Sequence, residues 1–250
     1  MIRSITAPIL AVSLLLGFRF ADDKEDLAKA AEKTRALENY RFKGKIEVDG
    51  VPFISEPIDY TGSYVKDQGF IASMGPVGTI FRVEKKVAVK DAETGIWSLV
   101  KAGQQKVGEG PMAGQIPVVA RGLKPPHEEF RKFEERFKEI RKKDATEKVG
   151  DLDCAVYEGP LTENGVRSML PGGVGVLLGK GTYEGTARAW IGGPEGRIVK
   201  FKADCKIEID DGARTTELTV SRTTEFSDVG AAKVEIPAEV KKLFEETETK

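Results

Sequence analysis

Apolar and charged residues alternate without a break along one stretch of this chain, Ile198 to Asp210. The apolar members of the alternation are Val199, Phe201, Ala203, Cys205, Ile207 and Ile209. Successive side chains of a β-strand point to opposite faces of the sheet, so the pattern predicts one covered face and one solvated face. Strands of this kind are typical of antiparallel sheets.

The residues that follow predict the partner strand. Asp211-Gly212 suits the positive φ angles of a two-residue hairpin turn. Folding back about this turn sets Cys205 opposite Leu218 and Ala203 opposite Val220, so the apolar faces of the two strands agree. We therefore expect one concave face to carry Phe201, Ala203, Cys205, Leu218 and Val220.

Other periodic segments predict further strands and three helices. Leu27, Ala31, Thr34 and Leu37 recur at helical spacing within Asp22 to Asn39. Pro125-Pro126 begins a second helix, expected to reach about Lys143, since proline is tolerated in the first turn. The remaining elements are strands from Tyr40 and over Ile58 to Lys66, Gly69 to Met74, Thr79 to Lys90 and Tyr183 to Ile191, and a closing helix from Ala238 to Glu246.

Two segments are expected to cover the sheet. The predicted central helix carries a narrow apolar stripe of Phe130, Phe133, Phe137 and Ile140, for which the concave face is the obvious partner. Small residues at the centre of that face leave room, and two interpretations stay open: the phenylalanines fill the room, or a ligand does. Leu161 to Gly181 combines apolar residues with many glycines, and we interpret it as a flap whose Leu177 and Leu178 cover the mouth of an apolar cavity.

The N-terminus has the pattern of a secretory signal peptide. A basic start at Arg3 precedes an apolar run, Ile5 to Phe18, which is too short to span a membrane. Cleavage after Ala21 is expected, so residues 1–21 form the signal peptide and residues 22–250 one domain. No cysteine near that site forms a lipobox, and the mature protein is expected to be periplasmic or secreted, without a transmembrane segment.

Motifs for catalysis, metals or cofactors are missing from the sequence. His127 is the only histidine, and it is expected to be solvated, so neither an ordinary zinc site nor a Ser-His-Asp triad is available. A formal net charge of −1 without a basic stretch argues against nucleic-acid binding. We expect no enzyme activity, no cofactor and no metal.

Cys154 and Cys205 are both expected on the apolar face by strand parity. The strand from Tyr183 to Ile191 is predicted to separate them, and a gap of two strand spacings, about 9–10 Å, exceeds the reach of a disulfide. We therefore favour two buried free thiols.

The order of these elements resembles the LolA/LolB/LppX-like superfamily of periplasmic lipoprotein and lipid carriers. The segments that carry the resemblance are LENYRFKGKIEV, DLDCAVYEGPL, TARAWIGGPEGRIVKF and EFSDVGAAKVEIPAEV. It implies an α+β fold in which a strongly curved antiparallel sheet, an unclosed β-barrel, has helices covering its concave face. It also implies that this face holds acyl chains.

Two functional hypotheses follow. In the first, the protein is an exported soluble carrier for a lipid, a lipoprotein acyl chain or another long apolar molecule. Its apolar cavity is then lined by Phe201, Ala203, Cys205, Leu218, Val220, Phe130, Phe133, Phe137, Leu177 and Leu178. In the second, a module of the same fold binds an envelope partner protein and carries no ligand.

Overall fold

The computed structural model describes residues 9–50, 56–75, 78–101, 120, 122–170, 181–210 and 215–248, with side chains from residue 22 to residue 246. The helices are α1 (Ile9–Arg35), α2 (Glu163–Met169) and α3 (Ala238–Glu248), and two 3₁₀ helices span Pro126–Phe130 and Phe133–Arg136. The strands are β1 (Asn39–Asp49), β2 (Ile58–Val65), β3 (Gly69–Ser73), β4 (Thr79–Val83), β5 (Lys86–Lys90), β6 (Trp97–Leu99), β7 (Arg141–Lys142), β8 (Glu147–Val149), β9 (Leu152–Pro160), β10 (Gly181–Gly192), β11 (Arg197–Asp210) and β12 (Thr215–Ser227).

The twelve strands of the described residues form one antiparallel sheet in the order β6-β5-β4-β3-β2-β1-β12-β11-β10-β9-β7, with β8 beside β9. The two ends, β6 and β7, do not pair with each other, so the curved sheet stays open. The main core lies on its concave face, beneath α1, α2 and the two 3₁₀ helices. This confirms the predicted α+β architecture of an unclosed barrel with helices over the concave face.

The central hairpin has the predicted faces but a different register. Cys205 lies opposite Val220 and Ile207 opposite Leu218, and the last pair before the turn is Asp210 with Thr215. The connection therefore has four residues, 211–214, which lie outside the described part of the chain, instead of the predicted two-residue turn. A shift of two residues keeps every side chain on its face, so the expected concave set is buried together as predicted.

A register shift at Trp190 and Ile191 breaks the alternation at the start of β11. Ile198 joins the concave core, whereas Val199 packs on the opposite face with Cys154, Val156 and Trp190. The prediction that Val199 and Cys154 face the main core is therefore wrong. β10 does separate the two cysteines, and both thiols are free and buried, as predicted.

Helix α1 ends at Arg35, earlier than the predicted Asn39, because Asn39 already pairs with Val65 in the sheet. Its predicted apolar stripe is buried. Thr34 fixes the helix to the sheet, since its Oγ1 accepts a hydrogen bond of 2.9 Å from the backbone N–H of Ile198. Processing after Ala21 stays a prediction. In the part of the chain that is described, none of the helices has the length and apolar character needed to cross a membrane.

The predicted central helix from Pro125 to about Lys143 is wrong. A 3₁₀ helix begins there instead and ends at Phe130, because the backbone of Arg131 is extended and that of Lys132 is left-handed, with φ of 52°. Beyond the second 3₁₀ helix the backbone runs alongside β9, where the N–H of Lys138 donates to the carbonyl of Pro160 at 2.8 Å. These sheet hydrogen bonds outweigh the local helix propensity. The apolar stripe is nevertheless buried against the concave face.

Two further segments differ from expectation. Thr79 to Lys90 is a hairpin of β4 and β5, since Glu84 turns the chain with φ of 50°. Leu161 to Leu170, expected to be part of a loose flap, contains helix α2, whose first turn is capped by the hydroxyl of Thr162. Residues 171–180 lie outside the described part. The closing helix is confirmed as α3, which covers Phe81 on the convex face.

Candidate functional site

The structure gathers eight of the ten predicted ligand-binding residues on the concave face, all of them buried. Leu177 and Leu178 lie outside the described residues. Phe133 is at the centre, with ring-centroid distances of 5.0 Å to Phe130, 5.3 Å to Phe137 and 5.3 Å to Phe201. This aromatic cluster fills the space between the 3₁₀ helices and β11. Direct contact of these eight residues with a ligand stays a prediction.

A cavity of about 300 Å³ lies beside the aromatic cluster, over β1, β2 and β3. Its floor is formed by apolar and aromatic residues of the sheet and the turn after it, namely Phe42, Ile46, Tyr60, Phe70, Ala72 and Met74. Its walls come from residues 122–129, from Arg136, from the end of α2 and from Arg222 on β12. An apolar floor with a few polar groups at the wall is the usual composition of a small-molecule site.

Two glycines let aromatic rings lie flat on the cavity floor. Phe42 is opposite Gly62 and Tyr60 is opposite Gly44 in the pairing of β1 with β2. A Cβ atom added to Gly62 would meet Cζ of Phe42 at 2.3 Å, and one added to Gly44 would meet Cζ of Tyr60 at 2.3 Å. Each ring therefore covers the glycine on the neighbouring strand, an arrangement that packs the sheet tightly while leaving the space above it open.

Arg222 brings a buried charge to the wall of the cavity. Its Nη2 is 2.8 Å from Oε1 of Glu129, and its Nε has no hydrogen-bond partner among the described residues. Burial acts to lower the pKa of Arg222, but the Glu129 carboxylate and the Tyr60 hydroxyl outweigh burial and raise it. We missed this residue in the sequence. Strand parity could have found it, since Arg222 falls in phase with Val220 and Thr224 on β12.

The one histidine is buried, so the prediction of a solvated His127 is wrong. The hydroxyl of Tyr40 lies 2.7 Å from Nδ1 of His127 and accepts a hydrogen bond from the His127 backbone N–H at 3.2 Å. Tyr40 can therefore donate its own proton to an unprotonated Nδ1. Burial, together with the charge of Arg35, lowers the pKa of His127 to about 4. This pair joins the segment over the cavity to β1.

A second depression, of about 1250 Å³, is an open groove across β1, β12, β11 and β10. By strand parity most of its lining side chains point away from the concave core. Its charged residues are mainly acidic: Glu47, Asp49, Glu56, Glu184 and Asp204, with Lys138 and Lys206. Although it is larger than the concave cavity, most of the residues that line it are charged or polar, with Val48, Cys205 and Val220 among the apolar ones.

Metal-ligating side chains are not clustered in the part of the chain that the structure describes. Over the described ranges, no three His, Cys, Asp or Glu residues come close enough together to hold a metal ion. The two thiols are in separate clusters on opposite faces of the sheet, and burial raises the pKa of Cys205 to about 12. The concave cavity combines an apolar floor with a few polar groups at its wall, which suits the binding of a ligand.

Solved structures similar to this chain include two mycobacterial proteins. LprF from Mycobacterium bovis is 13% identical, with a TM-score of 0.49 over 88% of this chain and 97% of that chain. The lipoprotein LppX of Mycobacterium tuberculosis is 10% identical, with a TM-score of 0.49 over 87% of this chain and 99% of that chain. A LolA superfamily protein from Nitrosomonas europaea is 13% identical, with a TM-score of 0.29 over 85% of this chain and 94% of that chain.

These structures include members of the superfamily that the sequence resembles. No protein-family model matches the sequence, and no curated protein matches it. Function therefore has to be inferred from the residues of the site.

Proposed function

We propose that this protein is an exported, non-enzymatic binding protein that holds one apolar chain of a lipid or an acylated protein in the concave cavity. The observation that carries the proposal is the cavity of about 300 Å³, floored by six apolar and aromatic side chains. Burying apolar surface contributes roughly 25 cal/mol per Å², so an alkyl chain lying on such a floor gains affinity along its length.

The neighbouring segments support a ligand that enters from the side of α2. Leu170, the last described residue after this helix, lines the cavity. Leu177 and Leu178 follow it by only seven and eight positions. We propose that these two leucines contact the ligand at the mouth, as the composition of their segment suggests. Docking of each leucine would contribute about 1.5–3 kcal/mol, which is enough to favour a closed state.

A second candidate function is binding of an envelope partner protein. The acidic groove over β1, β12, β11 and β10 favours it, since a basic surface would complement the five carboxylates there. Such a partner would not require an apolar cavity. The two functions therefore differ in what a change at the cavity floor should do.

Binding of the uncharged dye Nile red tests the carrier function. The variant Ala72→Leu adds bulk to the floor of the cavity, and the matched control Ser73→Leu adds it to an exposed position on the other face of the same strand. We expect Ala72→Leu to weaken dye binding at least about tenfold and Ser73→Leu to leave it unchanged, since one displaced leucine-sized contact is worth about 1.5–3 kcal/mol. Mass spectrometry of an organic extract should also find a lipid in the natively purified protein. An extract without lipid, together with no dye binding, would overturn the carrier function.

A further inference from the structure

Positive charges outnumber negative ones on the wall of the concave cavity. Its four cations are Lys124, Arg136, Arg167 and Arg222, and its two anions are Glu128 and Glu129. An excess of positive charge beside an apolar floor is not what a purely apolar ligand requires. It is what an amphiphile with an anionic end would require.

The three arginines differ in how their charges are balanced. Arg222 is neutralised by Glu129 at 2.8 Å. Arg167 pairs with Glu163 at 3.0 Å and lies over the ring of Tyr183, with 3.8 Å between its Cζ and the ring centroid. Arg136 has no carboxylate partner among the residues that the structure describes.

The Arg136 side chain contacts a thioether and an aromatic ring. Its Nη1 is 3.8 Å from Sδ of Met169, and its Cζ is 5.7 Å from the ring centroid of Phe133. The side chain is half-buried, and this burial lowers the pKa of Arg136. Glu129 and Glu134 act on its charge without forming an ion pair with it. A partly desolvated guanidinium that has no carboxylate hydrogen bond would gain charge-assisted hydrogen bonds from an anionic ligand.

The backbone of Arg136 is held in place at the start of α2. Its carbonyl accepts hydrogen bonds from the N–H of Thr162 at 2.8 Å and from the Thr162 hydroxyl at 3.1 Å. Gly165 packs so closely that an added Cβ would meet this carbonyl oxygen at 2.2 Å. The Arg136 side chain, which lines the cavity, therefore extends from a backbone that is held in place.

We propose that Arg136 binds the anionic group of an amphiphile whose apolar chain lies over β1, β2 and β3. The inference rests on the proposed carrier function and narrows its ligands to amphiphiles with a carboxylate or a phosphate. The planar guanidinium can donate two parallel hydrogen bonds to either group. Lys124, an exposed cation on the same wall, adds positive potential.

Displacement of Nile red by four amphiphiles with the same oleoyl or oleyl chain tests the inference. Oleic acid and lysophosphatidic acid carry the anionic group, whereas oleyl alcohol and monooleoylglycerol are uncharged. We expect the wild-type protein to bind at least one anionic amphiphile tenfold or more tightly than the uncharged ones, since hydrogen bonds to charged groups contribute about 1.5–3 kcal/mol. The two anionic arms show whether a carboxylate or a phosphate is preferred.

Variants test whether Arg136 causes the preference for anionic amphiphiles. Arg136→Met should remove the anionic preference and leave binding of oleyl alcohol within about twofold, while Arg136→Lys should restore part of the preference. Arg41→Met is the matched control, because it removes an exposed arginine that pairs with Asp228 at 3.3 Å. Equal binding of charged and uncharged amphiphiles by the wild-type protein would overturn the inference but leave the carrier function standing. Binding of none of the four, nor of Nile red, would overturn the carrier function itself.

Discussion

The two halves of the concave face are packed in opposite ways. Over β9, β10 and β11 the sheet presents small side chains such as Ala187, Ala189 and Ala203, and the covering segment supplies large phenylalanine rings that fill the space. Over β1, β2 and β3 the sheet presents the rings, and the covering segment supplies Lys124, Glu128 and Glu129. In the first half, large rings pack against small side chains and fill the space between the sheet and its cover. Rings beneath polar residues leave the second half with a cavity.

The difference follows from where apolar residues occur along one covering segment. Phe130 and Phe133 are buried, whereas Lys124 and Glu128, a few residues earlier, are exposed. Polar side chains cannot be buried deeply without partners, so the segment stays away from the floor beneath them. The question of filled core against ligand cavity therefore has two answers, one for each half of the same face.

The largest expected effect on the free energy of unfolding comes from a substitution in the filled half. Phe133→Ala should lower the free energy of unfolding by about 3–5 kcal/mol, because its ring contacts three other rings and leaves a cavity behind. Phe70→Ala removes the same atoms from an equally buried ring beside the existing cavity. We expect a cost lower by at least about 1 kcal/mol there, since fewer contacts are lost. Denaturant unfolding measures both, and equal costs would contradict the division into halves.

Much of the fold was readable from the sequence, because strand faces obey parity. The concave set around Phe201 and Leu218 was predicted correctly even though the hairpin register was wrong by two residues. Faces depend only on odd and even positions, whereas register depends on the connection at residues 211–214. The shift at Trp190 and Ile191 had no such signal and misplaced Val199. Cys154 was misplaced because it shares a face of β9 with Val156, and that face packs on a smaller cluster away from the main core.

The cavity was harder to predict because it depends on two segments distant in sequence. The expected central helix would have carried its phenylalanines along a helical stripe, and the left-handed Lys132 that breaks it has no strong sequence signal. The strands that carry the floor residues Phe42 and Phe70 were predicted. That they would be covered by polar residues, and would leave open space, required the path of residues 122–130.

The next largest expected effect on stability concerns the hydrogen-bonded pair of Tyr40 and His127. The pKa of His127 is lowered from 6.5 to about 4 in the folded protein, so the folded state binds fewer protons than the unfolded state between these values. Stability is therefore fully present above pH 6.5 and is lost as the pH falls towards 4. At one pKa unit per 1.36 kcal/mol, the loss is on the order of 3 kcal/mol.

Denaturant unfolding of the wild-type protein and of His127→Gln across this pH range measures the loss. Glutamine cannot titrate, and His127 is the one histidine of the chain. Subtracting the two profiles therefore removes the contribution of the carboxylates. A difference between the profiles that stays constant with pH would show that His127 titrates normally in the folded protein.

The smallest effect compares one substitution in both halves. Ala189 lies between Tyr157 and Phe201 on the neighbouring strands, and all three are buried, so Ala189→Leu should overpack the filled half and cost about 1–3 kcal/mol. Ala72 is buried to a similar degree but borders the cavity, so Ala72→Leu adds its extra carbons to free space and should change stability by less than about 0.5 kcal/mol. Thermal and denaturant unfolding would measure both variants. A large loss for Ala72→Leu would mean that its side of the face is as closely packed as the other, and the cavity on which ligand binding depends would not exist in solution.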